Sequence, residues 1–350
     1  MSMNTKEATL SLHHRIEAFV QLGQKLKNLP EHEKNMLFQS AEARNPWFTT
    51  ENLSFALDAL GQYLDADSLQ QWLHPYVSQL EEARAVLPVG VVMAGNIPAV
   101  GFHDLLCVLI SGHKLLAKLS SDDEVLMRYL IDQLCHIEPA FKDFIELPEF
   151  INQAAAYIAT GSNHSNRYFK HYFGKKPHIL RGHRNAVAVL DGKETDRDFL
   201  ELGKDIFRYF GLGCRNVSKL YVPKGYDFQA FFEGIAPYGD IINHHKYANN
   251  YEYNKAVFLV KPVAHLDNGF LLLREAPEIA SPVAVLHYEY YDDKNALQNE
   301  LQKNAQAIQC IVSREGTFHA SIPFGQAQTP KLNDYADGVD TMRFLLSLSA

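Results

Sequence analysis

From Ala85 onward, short apolar β-forming runs alternate with amphipathic helical ones, and no other feature restricts the fold of this chain so tightly. The first series reads "VLPVGVVMAG", "FHDLLCVLISG", "HKLLAKL", "DDEVLMRYLIDQLCHI", "AAAYIAT", "SNRYFKHYF" and "NAVAVLDG". A strand followed by a helix re-enters the sheet at the same edge, so successive strands pair in parallel and the helices cover both faces. The expected class is α/β, a doubly wound parallel sheet. A second series, "VSKLYVP", "FQAFFEGIAP", "KAVFLVK", "VAVLHYEYY" and "ALQNELQKNAQAIQCIVSR", predicts a second α/β domain. Within it the tyrosine-rich "KYANNYEYNK" reads as a loop with hydrogen-bonding rings.

Ahead of Ala85, "HHRIEAFVQLGQKLKNL" and "DADSLQQWLHPYVSQLEEAR" space apolar residues three and four apart, the helical period. The expected organisation is thus a helical N-terminal segment over 1–84 packed on the domain that follows, a first α/β domain over 85–204, and a second over 205–325. Residues 326–350 form a C-terminal segment whose apolar "DTMRFLLSLSA" suggests an oligomer contact.

A chain of 350 residues has room for about two domains. With 41 acidic against 33 basic residues it carries a formal charge of -8, which argues against a phosphate-backbone surface and hence against nucleic acid as partner. No apolar run approaches the ~20 residues of a membrane span, and the start lacks a signal-peptide core, so a cytoplasmic location is expected. Cys107, Cys135, Cys214 and Cys310 lie far apart without a CxxC pair, which predicts thiols rather than disulfides or a zinc ribbon. The fingerprints GxGxxG, GxxxxGK[ST], HExxH and GxSxG are absent.

One stretch does suit chemistry. In "FGLGCRNVSKLYVP", Gly211 and Gly213 let a ligand approach the backbone at Cys214, and Arg215 can favour the thiolate that attacks a carbonyl carbon. The competing reading is equally physical, because a lone cysteine usually packs as a small hydrophobe. These residues by themselves leave both open.

Five segments in order decide the matter differently. "PVGVVMAGNIP", "SGHKLLAKLSS", "IATGSNHSNRYFKHYF", "GLGCRNV" and "EIASPV" resemble landmarks of the aldehyde dehydrogenase superfamily, and "NPWFTTENL" with the short chain is most similar to its LuxC-type acyl-CoA reductase branch. The resemblance implies a Rossmann-type cofactor domain, the 85–204 one, and a catalytic domain holding the nucleophile, Cys214. It implies Asn96 as side-chain donor to the oxyanion, and Lys118, Ser120, Ser121, Gly161, Ser162 and Glu278 as contacts of a nicotinamide dinucleotide. Ser121 stands where many NAD-preferring members carry a carboxylate, so NADPH is expected, with NADH possible. Leu180 of "LRGHR" occupies the position of the water-activating glutamate, and Ala280 and Ser281 replace the usual Phe and Gly beside Glu278. Without that glutamate, hydrolysis of an acyl-enzyme is disfavoured, and reduction of an acyl-CoA or acyl-carrier thioester to an aldehyde is expected. An NAD(P)-dependent aldehyde dehydrogenase and a non-catalytic acyl- or cofactor-binding relative are the alternatives. The superfamily also implies a homo-oligomer.

Overall fold

The computed structural model describes residues 10–82, 84–161 and 163–349, so Ser162 lies outside the described residues. The chain divides into two compact units, one ending at Gly182 and resumed from Lys331, the other His183–Pro330.

Among the described residues the first unit opens with five α-helices: α1 (Leu12–Lys27), α2 (Glu31–Arg44), α3 (Thr50–Tyr63), α4 (Ala66–Leu73) and α5 (Val77–Glu81). Ser11 caps α1 by accepting the His14 amide, and the helix buries Ala18, Phe19, Leu22 and Leu26, the three-and-four stripe expected from its sequence. The sheet follows as β1 (Pro88–Val92), α6 (Phe102–Ile110), β2 (Lys114–Lys118), α7 (Glu124–Ile137), β3 (Ile145–Glu146), β4 (Ala156–Thr160), α8 (Asn163–Phe173) and β5 (His178–Arg181). Its strand order is β3-β2-β1-β4-β5 and every pairing is parallel. Helix α6 is apolar nearly all round and is buried nearly all round, as a helix between a sheet and a second helical layer must be.

The second unit contains β6 (Asn185–Val189), α9 (Asp196–Phe207), β7 (Val217–Pro223), α10 (Gln229–Ile235), α11 (His245–Val260), β8 (Leu266–Asp267), β9 (Leu272–Glu275), β10 (Val285–Tyr291), α12 (Lys294–Lys303), β11 (Ile308–Ser313) and β12 (Ile322–Pro323). The order is β12-β11-β6-β7-β10-β9-β8, parallel except for the β8–β9 pair. Strand β6 is buried at every position, which is why "NAVAV" is apolar without alternation.

Two expectations differ from what is seen. The division falls at Gly182, ahead of residue 204, because β6 pairs with β7 and β11 and not with the first sheet. The tyrosine-rich stretch is not a loop: with most of "KAVFLVK" it forms the single helix α11, whose Tyr247 and Tyr251 hydroxyls donate to the Phe270 carbonyl and the Asp267 carboxylate.

After Lys331 the chain returns to the first unit and ends in α13 (Thr341–Leu346). Met342, Leu345 and Leu346 of α13 sit in the core with α6, so the apolar tail is spent on its own unit, which removes the reason for reading it as an oligomer contact. Among the described residues no helix is long and apolar enough to cross a membrane. None of the four cysteines is in a disulfide.

Candidate active site

In the first unit β1 has β2 on one side and β4 on the other, so the loops leaving β1 and β4 diverge at the carboxyl edge of the sheet, the place where open parallel sheets take ligands. Five predicted residues fall on that edge. Asn96 is exposed in the β1–α6 loop, Lys118 is exposed at the last position of β2, Ser120 and Ser121 follow it, and Gly161 follows β4.

The loops after β1 and β2 are fused to each other. A Cβ on Gly95 would lie 2.4 Å from the Ser120 hydroxyl oxygen, a separation no real side chain tolerates, so only glycine permits this approach. Asp123 turns inward, its Oδ2 accepting the Ala99 amide at 2.9 Å, and Ala99 adopts a left-handed φ of 56° to make that bond. Its Oδ1 is buried without a partner among the described residues, and burial pushes this carboxyl well above the usual carboxylate range. From outside, Arg44 at the end of α2 donates from Nε to the Ser121 carbonyl at 2.9 Å, which brings a second cation to the loop that holds Lys118.

Gly161 donates its amide to the Arg181 carbonyl, and a Cβ there would meet the Phe169 ring at 2.9 Å. Glycine thus lets α8 close onto the end of β4. A lysine, two serine hydroxyls and close-approaching glycine backbone at a diverging carboxyl edge are the donors that ribose hydroxyls and phosphates require, so these residues fit a dinucleotide. Sequence reasoning missed the brace behind this edge: the Arg181 guanidinium, nearly fully buried, pairs with Asp104 of α6 at 2.5 Å and donates to Thr341 of α13 at 2.9 Å. Leu180, beside it on β5, is half-buried.

Cys214 and Glu278 belong to the second unit. Cys214 is half-buried in a tight turn in which the Asn216 amide donates to the Gly213 carbonyl at 3.0 Å. Directly before it Tyr209, Phe210 and Gly211 take φ of 54°, 57° and 77°. Two non-glycine residues in succession in the left-handed region are costly and persist only where the surroundings impose them.

Asn216, itself buried, ties together the residues on either side of this pair. Its Oδ1 accepts the Gly213 amide at 2.8 Å, and its Nδ2 faces the carbonyls of Asp205, Ile206 and Arg208 at 3.0, 3.3 and 2.8 Å. One side chain therefore stitches the cysteine turn to the end of α9. The Nε of Arg215 is committed to the Ala327 carbonyl at 2.5 Å. Asp205 accepts the amides of Gly325 and Ala327 at 2.7 and 2.9 Å; burial lifts its pKa to about 7, against the opposing pull of those amides and of Arg215.

Glu278 is exposed on the segment between β9 and β10, where Ser281 donates to the Val285 carbonyl at 2.6 Å and Ala284 has a φ of 63°. Among the described residues no cluster of three or more His, Cys, Asp or Glu is arranged to hold a metal.

The family model for acyl-CoA reductase (LuxC) matches residues 16–231. No curated protein sequence matches. Among solved structures the fold is similar to aldehyde dehydrogenase 21 from Physcomitrella patens, in complex with the reaction product succinate, at TM-score 0.65 and 14% identity over 97% of this chain and 84% of that one. It is similar also to an NAD-dependent aldehyde dehydrogenase from Sinorhizobium meliloti (TM-score 0.60, 10% identity, 87% and 70% covered) and to an NADP dependent enzyme of E. coli (0.60, 12%, 87% and 73%). The family match spans the N-terminal helices, the whole first sheet and the cysteine turn, and at these identities the solved structures establish an aldehyde dehydrogenase-like fold. The chain accordingly belongs to the LuxC acyl-CoA reductase family and is an aldehyde-related oxidoreductase on that fold.

Proposed function

We propose that this chain reduces an acyl-CoA, or another acyl thioester, to the aldehyde, with Cys214 as the nucleophile and NADPH as the reductant. What carries the reading is the turn around Cys214, where a buried asparagine and two left-handed residues precede or flank a half-buried thiol. A cysteine that only filled space would need none of that.

The Cys214 thiolate attacks the thioester carbonyl carbon, and the Cys214 amide and the Asn96 side chain are the proposed donors to the oxyanion that forms. Collapse expels the thiol of the acyl donor and leaves the acyl group on Sγ. The dinucleotide that Lys118, Ser120, Ser121 and Gly161 would hold would supply the hydride that reduces this carbonyl carbon. The resulting thiohemiacetal then releases the aldehyde and regenerates the Cys214 thiolate once its hydroxyl proton is removed. Leu180, where a base would activate water for hydrolysis, keeps the acyl-enzyme available for reduction.

Lys118, Ser120, Ser121 and Gly161 are proposed to hold the dinucleotide, with Ser162 of the same segment, and Glu278 to contact its nicotinamide ribose. NADPH over NADH is supported by the absence of a carboxylate at Ser121, by the cations Lys118 and Arg44 on that loop, and by the inward turn of Asp123. A homo-oligomer is proposed on the family likeness alone, and light scattering decides it.

The test is cofactor oxidation followed by nicotinamide absorbance with acyl-CoAs of graded length. Thioester-dependent oxidation that vanishes in Cys214→Ala supports the proposal. Cofactor binding without turnover on any thioester marks a non-catalytic relative, and oxidation of aldehyde without the reverse reaction marks a dehydrogenase.

A further inference from the structure

Three consecutive carbonyls on the Glu278 segment are each taken by a different side chain of the second sheet. Lys219 Nζ donates to the Pro277 carbonyl at 2.8 Å, His287 Nδ1 to the Glu278 carbonyl at 2.9 Å, and Ser218 Oγ to the Ile279 carbonyl at 2.7 Å. Lys219 and His287 are register partners on β7 and β10, so the clamp is built on paired strands rather than on loops.

Lys219 is the unusual member. It is 0% exposed, at the centre of a parallel sheet where an aliphatic residue is the ordinary choice. Its ammonium is satisfied by the Pro277 carbonyl, by Glu289 at 2.5 Å, and by the Tyr221 ring, whose centroid lies 4.8 Å away. His287 is also buried; a donating Nδ1 leaves Nε2 as the bare nitrogen, and Nε2 has no partner among the described residues. Burial favours the neutral ring, and the Glu278 carbonyl, which can only accept, fixes the tautomer with the proton on Nδ1.

A surface segment with no task does not need its carbonyls tied to a buried lysine, whereas a carboxylate that must meet a ligand at fixed geometry does need such support. Ser218 and Lys219 stand four and five residues beyond Cys214, at the start of the strand that leaves the cysteine turn. We infer that Lys219, with Ser218 and His287, positions Glu278 for the nicotinamide ribose and joins it through β7 to the nucleophile's turn, an inference that rests on the proposed role of Glu278.

The test uses the full chain and two readouts: NADPH affinity from nicotinamide fluorescence, and steady-state KM and kcat. Glu278→Gln and Lys219→Met are each expected to weaken NADPH binding about tenfold, a loss typical of removing an outer-shell support. The double variant is expected to be no weaker than the worse single one, and Lys219→Arg to recover most of the loss. KM for acyl-CoA and the alkylation rate of Cys214 should stay within about twofold. If Lys219→Met leaves NADPH affinity unchanged while Glu278→Gln weakens it, or if the two losses add in the double variant, the positioning role is wrong and that of Glu278 stands. If Glu278→Gln is itself without effect, both fall. Should Lys219→Met fail to fold, Ser218→Ala carries the same comparison at about threefold, since it removes one of the three ties and no charge.

Discussion

Replacing Asn216 by alanine removes the stitch between α9 and the cysteine turn. The amide has two N–H groups facing the three carbonyls of Asp205, Ile206 and Arg208, and its oxygen takes the Gly213 amide, so about three net hydrogen bonds are lost. At about 1 kcal/mol each in a buried setting, and with the Gly213 N–H left unsatisfied, local opening becomes easier by about 3 kcal/mol. That is roughly 150-fold in the opening equilibrium, because each 1.4 kcal/mol is about tenfold. Native-state hydrogen exchange read by mass on peptides across 205–217 should accelerate by that order, while peptides from α6, in the other unit, keep their protection. The left-handed pair Tyr209 and Phe210 should relax with the turn, and turnover should fall further than the folded fraction does. Acceleration below about fivefold would refute the claim that Asn216 holds the turn to α9.

Three further outcomes follow from the same structure. Asp205 has a folded pKa raised to about 7 from an unfolded 3.8, so the fold disfavours its ionised form; stability contributed here is full below about pH 4 and is lost as pH rises through 7, by at most about 4 kcal/mol. Chemical denaturation at pH 5 and pH 8 should show that slope in the native chain and a smaller one in Asp205→Asn. Asp104→Asn should destabilise the first unit by about 3–5 kcal/mol in urea titrations, because it strands the buried Arg181, and adding Arg181→Met should recover much of the loss. Ser121→Glu and Arg44→Gln should each lower the ratio of kcat/KM for NADPH over NADH, the first by about tenfold and the second by less, since Arg44 is exposed and screened; an unchanged ratio in Ser121→Glu would remove this loop from the ribose.

The alternation of strands and helices was legible because both sheets are parallel and buried, so their strands are continuous apolar runs such as "NAVAV". The unit boundary was not, because nothing local tells β6 to join β7 and β11 in place of β5; that choice is made by contacts distant in sequence. Helix α11 was misread for a reason visible in its residues. Its buried positions Tyr247, Tyr251, Asn254 and Phe258 keep the helical spacing, but three of the four are polar enough to hide the stripe.

At the candidate site the residues proposed to meet ligands were legible in the sequence, and those that hold them were not. Asn216 lay inside the quoted motif, yet its partners are eight to eleven residues upstream on the end of α9. Arg181 and Asp104 are 77 positions apart. Lys219 did leave a signal: a lysine inside "VSKLYVP", a run otherwise fit for burial, asks for a buried partner, and the Pro277 and Glu289 oxygens answer it.

The acyl group is proposed to pass through Cys214. Incubating the chain with an acyl-CoA in the absence of any nicotinamide cofactor, then quenching in acid and mapping peptides by mass, tests it directly. One acyl adduct is expected, on the peptide containing Cys214, with stoichiometric thiol release, and it should discharge as aldehyde when NADPH is added. No adduct is expected on Cys107, whose thiol is buried and pushed well up by that burial. Aldehyde formation by Cys214→Ala, or an adduct on any residue other than Cys214 that discharges with NADPH, would contradict it.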